Sequence, residues 1–335
     1  MKTPYKIALV AIVLLCFGFF IRATNWAGVL EAVQKVGINF LFLIFVTYLS
    51  AWTGVLGWRY CLPKDTKQVS SFQLFWIRMI GENFAILNPT SMIGGEAAKI
   101  YMLTDLGVNR RQALHSIILS RAIMIISQIF MLSLACISFL SLSMQTFSWP
   151  HFEWLRIGGG VVLMLGLAMA LRGDYVRKGV KKLFLRLRLM DFYRRACTFL
   201  AELWLELRAF YRGNRRAMFM SFLFCCLHWI VGSLEFYFIL LFLGIKTTVF
   251  KALLVDMGVI VFKTAGAFIP GQIGIEEYGN KVMLSIIGIA GDTIWITVSI
   301  LRRSRQLFWI IVGLLMYFIR FHGKPAILPL EDPLP

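Results

Sequence analysis

Long apolar runs broken by short polar stretches set the order of this chain. Residues 5–21 and 40–58 are each long enough to cross a bilayer at about 1.5 Å per helical residue. Residues 72–87 are apolar but carry Arg78, Glu82 and Asn83, and they stop at Asn88-Pro89. A second short helix is expected over 96–104, followed by basic Asn109-Arg110-Arg111. Residues 113–141 then read as a full span and 157–171 as its return. After a basic segment comes a further span, 219–242. Residues 250–268 repeat the polar-interrupted helix, with Asp256 and Lys263, and break at Pro270-Gly271-Gln272-Ile273-Gly274. A helix near Ile275 carries Glu276, Glu277 and Lys281, and 293–319 is the last span.

Two helices too short or too polar to span, joined by a Pro/Gly break, read as a re-entrant hairpin; irregular backbone is tolerated at membrane depth only when buried in protein or lining a polar cavity. The hairpin landmarks recur. Adding 181 takes Pro89 to Pro270, Glu96 to Glu277, Gly107 to Gly288 and Arg121 to Arg302. One fixed offset implies an internal duplication, which in membrane proteins points to transporters. The expectation is an all-α polytopic membrane protein with about six full spans plus two re-entrant helical hairpins in an inverted repeat. It forms a single transmembrane domain over 1–335, with repeat one at 39–141, repeat two at 219–320 and a basic amphipathic connector at 172–216.

Composition agrees with a membrane protein: 59% of residues are hydrophobic and only 16% charged. The formal charge of +18 sits mostly in loops between apolar runs. It reads as the positive-inside signature and attraction to anionic lipid rather than to nucleic acid, with both termini cytoplasmic. Leucines and aromatics interleave with the charges of the connector at helical spacing, as in a helix lying on the membrane surface. The six cysteines and four histidines show no disulfide framework and no metal-ligand spacing, so neither a metal nor a cofactor is expected. His115 and His228, inside spans, read as packing or hydrogen-bonding groups. Residues 22–26 make a poor cleavage site, so the first span is expected to remain uncleaved.

The charges inside the apolar runs are the candidate chemistry. Arg121 is expected about 12 Å deep in its span, with Arg302 at similar depth and Arg303 and Arg305 beside it. Glu96 and Glu277 open the helices after the breaks, where a carboxylate suits the positive end of the helix dipole. One reading pairs Glu96 with Arg121 and Glu277 with Arg302, simply pinning the hairpins to the spans. The other adds Arg303, Lys99, Lys263 and Lys281 as surplus cations around an anionic headgroup. The hairpin breaks comprise Asn88, Pro89, Gly94, Gly95, Pro270, Gly271 and Gly274, and the four glycines allow close backbone approach there.

Pro89, Gly95, Glu96 and Arg121, then Pro270, Gly271, Gly274 and Glu277, resemble the two motifs of the transmembrane region of lysylphosphatidylglycerol synthases and the stand-alone flippase-like proteins related to it. Some of those are associated with hopanoid lipids and others are fused to glycosyltransferases. The resemblance spans nearly the whole chain and implies a lipid-translocating fold. Without a soluble aminoacyl-transfer domain before Pro335, lysine transfer to lipid is not expected.

The function expected is therefore a flippase that moves an amphipathic lipid, anionic or polyprenyl-phosphate-linked, across the bacterial cytoplasmic membrane by alternating access. An intramembrane lipid-modifying enzyme is the alternative, but no triad or metal set is visible. A third reading is an accessory subunit that assembles a lipid-biosynthesis enzyme partner.

Overall fold

The computed structural model describes residues 34, 36–63, 66, 69–87, 92–143, 190–266, 272, 274–289 and 291–321. Among them the fold is all-α. The helices are α1 (Asn39–Cys61), α2 (Ser71–Leu87), α3 (Met92–Asp105), α4 (Arg110–Ser143), α5 (Met190–Gly213), α6 (Arg215–Phe242), α7 (Val249–Ala265), α8 (Ile275–Ile286) and α9 (Asp292–Phe321).

The boundaries follow from local chemistry. The Asn214 side chain accepts from the Ala217 N–H at 3.0 Å and starts α6, while Thr248 accepts from Lys251 at 3.3 Å and starts α7. Gly107 and Gly288, related by the sequence offset, both adopt positive φ, 84° and 85°. Each ends a helix in the same way: the next residue's N–H reaches back to Leu103 at 3.2 Å and to Leu284 at 3.0 Å, respectively.

α1 and α6 form the most extensive helix contact. Small residues line their seam. A Cβ on Gly57 would lie 3.0 Å from Cys225 Sγ, Ser221 Oγ donates to Gly57 O at 2.9 Å, and Gly232 faces Ser50. Two apolar cores form, one around Phe75, Leu103 and Ile123, the other around Phe236, Met257 and Leu301 with Leu43 and Met131 contributed by α1 and α4. In the first half α2 packs on α3 and α3 on α4; in the second, α7 packs on α8 and α8 on α9. The halves also interlock, α2 on α9 and α7 on α4. At the first of these crossings Asn83 Nδ2 donates to the carbonyls of Trp309 and Ile310 at 3.1 and 3.3 Å.

The expected architecture of six spans and two re-entrant hairpins in an inverted repeat is not what the structure shows. Among the described residues three helices are long and apolar enough to cross a membrane: α1, α4 over Arg110–Ile137, and α6. The physical reason is charge and length. α9 has 30 residues but carries Arg302, Arg303 and Arg305 at its centre. α2 and α7 reach only 17 residues, α3 only 14 and α8 only 12. The expected spans at 5–21 and 157–171 lie outside the described residues, as do the breaks Asn88, Pro89, Pro270 and Gly271.

Candidate functional site

Two clusters of charge lie inside this apolar frame. In the first, α2 supplies Arg78 and Glu82 one helical turn apart, so Arg78 Nε donates to Glu82 Oε1 at 2.8 Å. α3 supplies Glu96 and Lys99, also a turn apart, with Lys99 Nζ 3.2 Å from Glu96 Oε1. α4 adds Arg121, which reaches the same carboxylate oxygen through Nε at 2.6 Å and Nη2 at 2.5 Å. The second oxygen, Glu96 Oε2, is buried and has no hydrogen-bond partner among the described residues.

His228 on α6 closes the first cluster. Its Nδ1 lies 2.7 Å from the Ser50 carbonyl, which can only accept, so Nδ1 carries the proton. Nε2, 3.4 Å from Arg78 Nη2, then faces that donor as a lone pair. The ring is neutral in this arrangement, as a hydrogen-bonding histidine.

Glycines make room for these long side chains. A Cβ on Gly54 would sit 2.0 Å from Arg78 Nη1, and one on Gly81 would sit 2.6 Å from Lys99 Cε. Gly95, expected to permit close backbone approach, does so against α2: its Cβ would fall 2.4 Å from Gly81 O. Arg78, Glu82, Glu96, Lys99, Ser120 and Arg121 line a cavity of about 20 Å³, with Trp58 among its apolar walls. That is room for a water molecule.

The second cluster is built around Arg302, whose side chain is 5% exposed. Its Nη1 lies 3.2 Å from Asp256 Oδ1 on α7 and 3.7 Å from Glu235 Oε2 on α6, and its Nε lies 3.2 Å from Glu276 Oε1 on α8. The guanidinium also sits 4.0 Å from the centre of the Phe236 ring. Lys263 Nζ is 3.3 Å from Glu276 Oε2, and Arg305 Nε is 2.5 Å from Glu235 Oε1. Arg303 pairs with Glu277, whose other oxygen accepts from the Gly274 N–H at 2.7 Å.

The candidate residues therefore separate. Glu96, Lys99 and Arg121 meet in one cluster, and Lys263, Glu277, Arg302 and Arg303 in the other. Lys281 Nζ, on α8, lies 5.2 Å from the Trp295 ring centre. Gly94 is half-buried in the first turn of α3, and Gly274, at φ 84°, precedes α8. The pairing expected in the second half is corrected by one residue: Arg302 takes Glu276, not Glu277, and Glu277 goes to Arg303. Adjacent residues on a helix point about 100° apart, so the rotation of α8 decides which carboxylate faces inward.

Glu235 was not among the candidates, and Arg78, Glu82 and Asp256 were noted only as polar interruptions of apolar helices. For Glu235 the available signal was a lone carboxylate in the apolar run 219–242.

Comparison with curated proteins finds no match, and neither does comparison with solved structures. The combination of apolar spans with two internal ionic clusters accords instead with the result of a family comparison. The profile described as the lysylphosphatidylglycerol synthase TM region matches residues 6–314, nearly the whole chain, and the protein belongs to that family.

Proposed function

We propose that the protein moves an amphipathic lipid with an anionic or polyprenyl-phosphate-linked headgroup across the bacterial cytoplasmic membrane by alternating access. Family membership supports a lipid-handling role in a membrane. The observation that carries the finer reading is the ionic cluster of Arg78, Lys99 and Arg121 against Glu82 and Glu96, set on a cavity between helices. Buried cations are expensive in so apolar a surround and persist only with partners. A phosphate group is a chemically equivalent partner, because arginine binds carboxylate and phosphate through the same donor fork.

In this scheme the headgroup enters by partner exchange. Its oxyanion takes over the guanidinium of Arg121 from Glu96, and the carboxylate retains Lys99. The exchange replaces one charge-assisted contact with another, so each charged group keeps a partner throughout. Because α2 packs on α9 and α7 on α4, a shift at either cluster is transmitted to the opposite half.

The test is translocation of a headgroup-labelled anionic phospholipid in sealed vesicles containing the purified protein. Movement faster than in protein-free vesicles is expected; equal rates contradict the proposal.

A further inference from the structure

The two clusters differ in charge balance. In the second, the cations Lys263, Arg302, Arg303 and Arg305 face the carboxylates Glu235, Asp256, Glu276 and Glu277, and every cation contacts a carboxylate. In the first, among the described residues, three cations face two carboxylates, and Lys99 and Arg121 share a single oxygen of Glu96. Neutral His228 contributes no charge.

The clusters differ in access as well. Arg302 is 5% exposed and enclosed by partners from three helices, whereas the Arg121 side chain is 41% exposed and lines the cavity with Arg78 and Lys99. Excess positive charge in an accessible cavity with low-dielectric walls attracts an anion, and a neutral, enclosed cluster does not.

We propose that the first cluster, and not the second, is the site of a phosphoryl oxyanion, with Arg78, Lys99 and Arg121 as its ligands. This rests on the transport reading and deepens it by dividing the labour between the halves. Arg121 is the arm that meets the anion first, being the most exposed of the three. Lys99 and Arg78, both buried, hold the anion once it is inside. The cavity of about 20 Å³ is smaller than that anion, so its entry requires Arg121 to swing off Glu96. The second cluster keeps its pairs throughout and fixes α6, α7, α8 and α9 to one another.

The experiment uses the full chain purified in a neutral detergent and calorimetric titration with two probes, dihexanoyl phosphatidic acid and inorganic phosphate. Wild type is expected to bind, Lys99→Gln to bind at least tenfold more weakly, and Arg303→Gln to bind as wild type does. Glu82→Gln, which increases the positive excess, is expected to bind more tightly. A merely structural role for the cluster would not produce that gain. Tighter binding of the phosphatidic acid assigns the site to a lipid headgroup, and equal binding of both probes assigns it to free phosphate. Wild type that binds neither probe overturns the proposal. So does Lys99→Gln that binds as wild type does, or folded Arg303→Gln that loses as much as Lys99→Gln.

Vesicle translocation, measured separately, distinguishes this inference from the reading beneath it. Translocation that survives Lys99→Gln defeats the assigned site and leaves transport standing. Phosphoryl binding without translocation defeats transport and leaves the site standing.

Discussion

Arg121 donates to a single oxygen of Glu96 through two nitrogens, Nε at 2.6 Å and Nη2 at 2.5 Å. The contact joins α3 to α4 across 25 residues of sequence, and Lys99 approaches the same oxygen from one turn along α3. A carboxylate serving two cations through one atom holds neither exclusively, which is what partner exchange requires.

This pair is expected to couple only weakly in stability. Arg121 is 41% exposed, and ion pairs open to solvent contribute about 0.2–1 kcal/mol. A double-mutant cycle on Glu96→Gln and Arg121→Gln, read by thermal unfolding in detergent, should give a coupling in that range. A coupling of several kcal/mol would show a fixed structural pin instead.

Arg302 should behave in the opposite way. Its removal leaves Glu235, Asp256 and Glu276 crowded together in a buried site. Breaking a buried pair by deleting one partner costs about 3–5 kcal/mol. Arg302→Gln is therefore expected to unfold at much lower temperature than wild type and to lose monodispersity on size exclusion. Unchanged melting would contradict the cage described here.

How much of this was legible in the sequence differs between the halves. The Glu96–Arg121 pair follows from the landmarks, because the first half offers one carboxylate after its break and one deep arginine. In the second half two neighbouring glutamates and two neighbouring arginines follow the break, and spacing alone does not choose between Glu276 and Glu277. Glu235 was hidden for a related reason: the offset places it on Gly54, which has no side chain and against which Arg78 lies instead. The apolar runs revealed α1, α4 and α6 closely. They overstated the span at 293–319, where hydrophobic length masked the three arginines at its centre.

Gly54 supplies a prediction about shape. An alanine Cβ there would lie 2.0 Å from Arg78 Nη1, so the guanidinium must move away from Glu82 and His228. Overpacking of this kind costs about 1–3 kcal/mol. Gly54→Ala should melt well below wild type. Gly213→Ala, where a Cβ meets nothing within 4 Å, should melt within a degree or two of it. Equal effects of the two substitutions would contradict the close fit of Arg78.

α5 supplies a prediction about the membrane. Its Trp204 and Leu205 are 65% and 62% exposed, while Leu207, on the side of the helix away from Leu205, is buried. Such an amphipathic helix is expected to lie at the lipid interface with Trp204 among the headgroups and upper acyl chains. Brominated lipids should quench wild-type fluorescence measurably more than that of Trp204→Phe. An identical quenched fraction in both would place α5 away from the bilayer.

The most direct test of the central claim is lipid translocation by the wild type and by Arg121→Gln, reconstituted side by side at matched protein density in sealed vesicles. The account predicts that wild type moves a headgroup-labelled anionic phospholipid between leaflets and that Arg121→Gln, equally folded, does not. Translocation by Arg121→Gln at the wild-type rate, or none by wild type above protein-free vesicles, would contradict it.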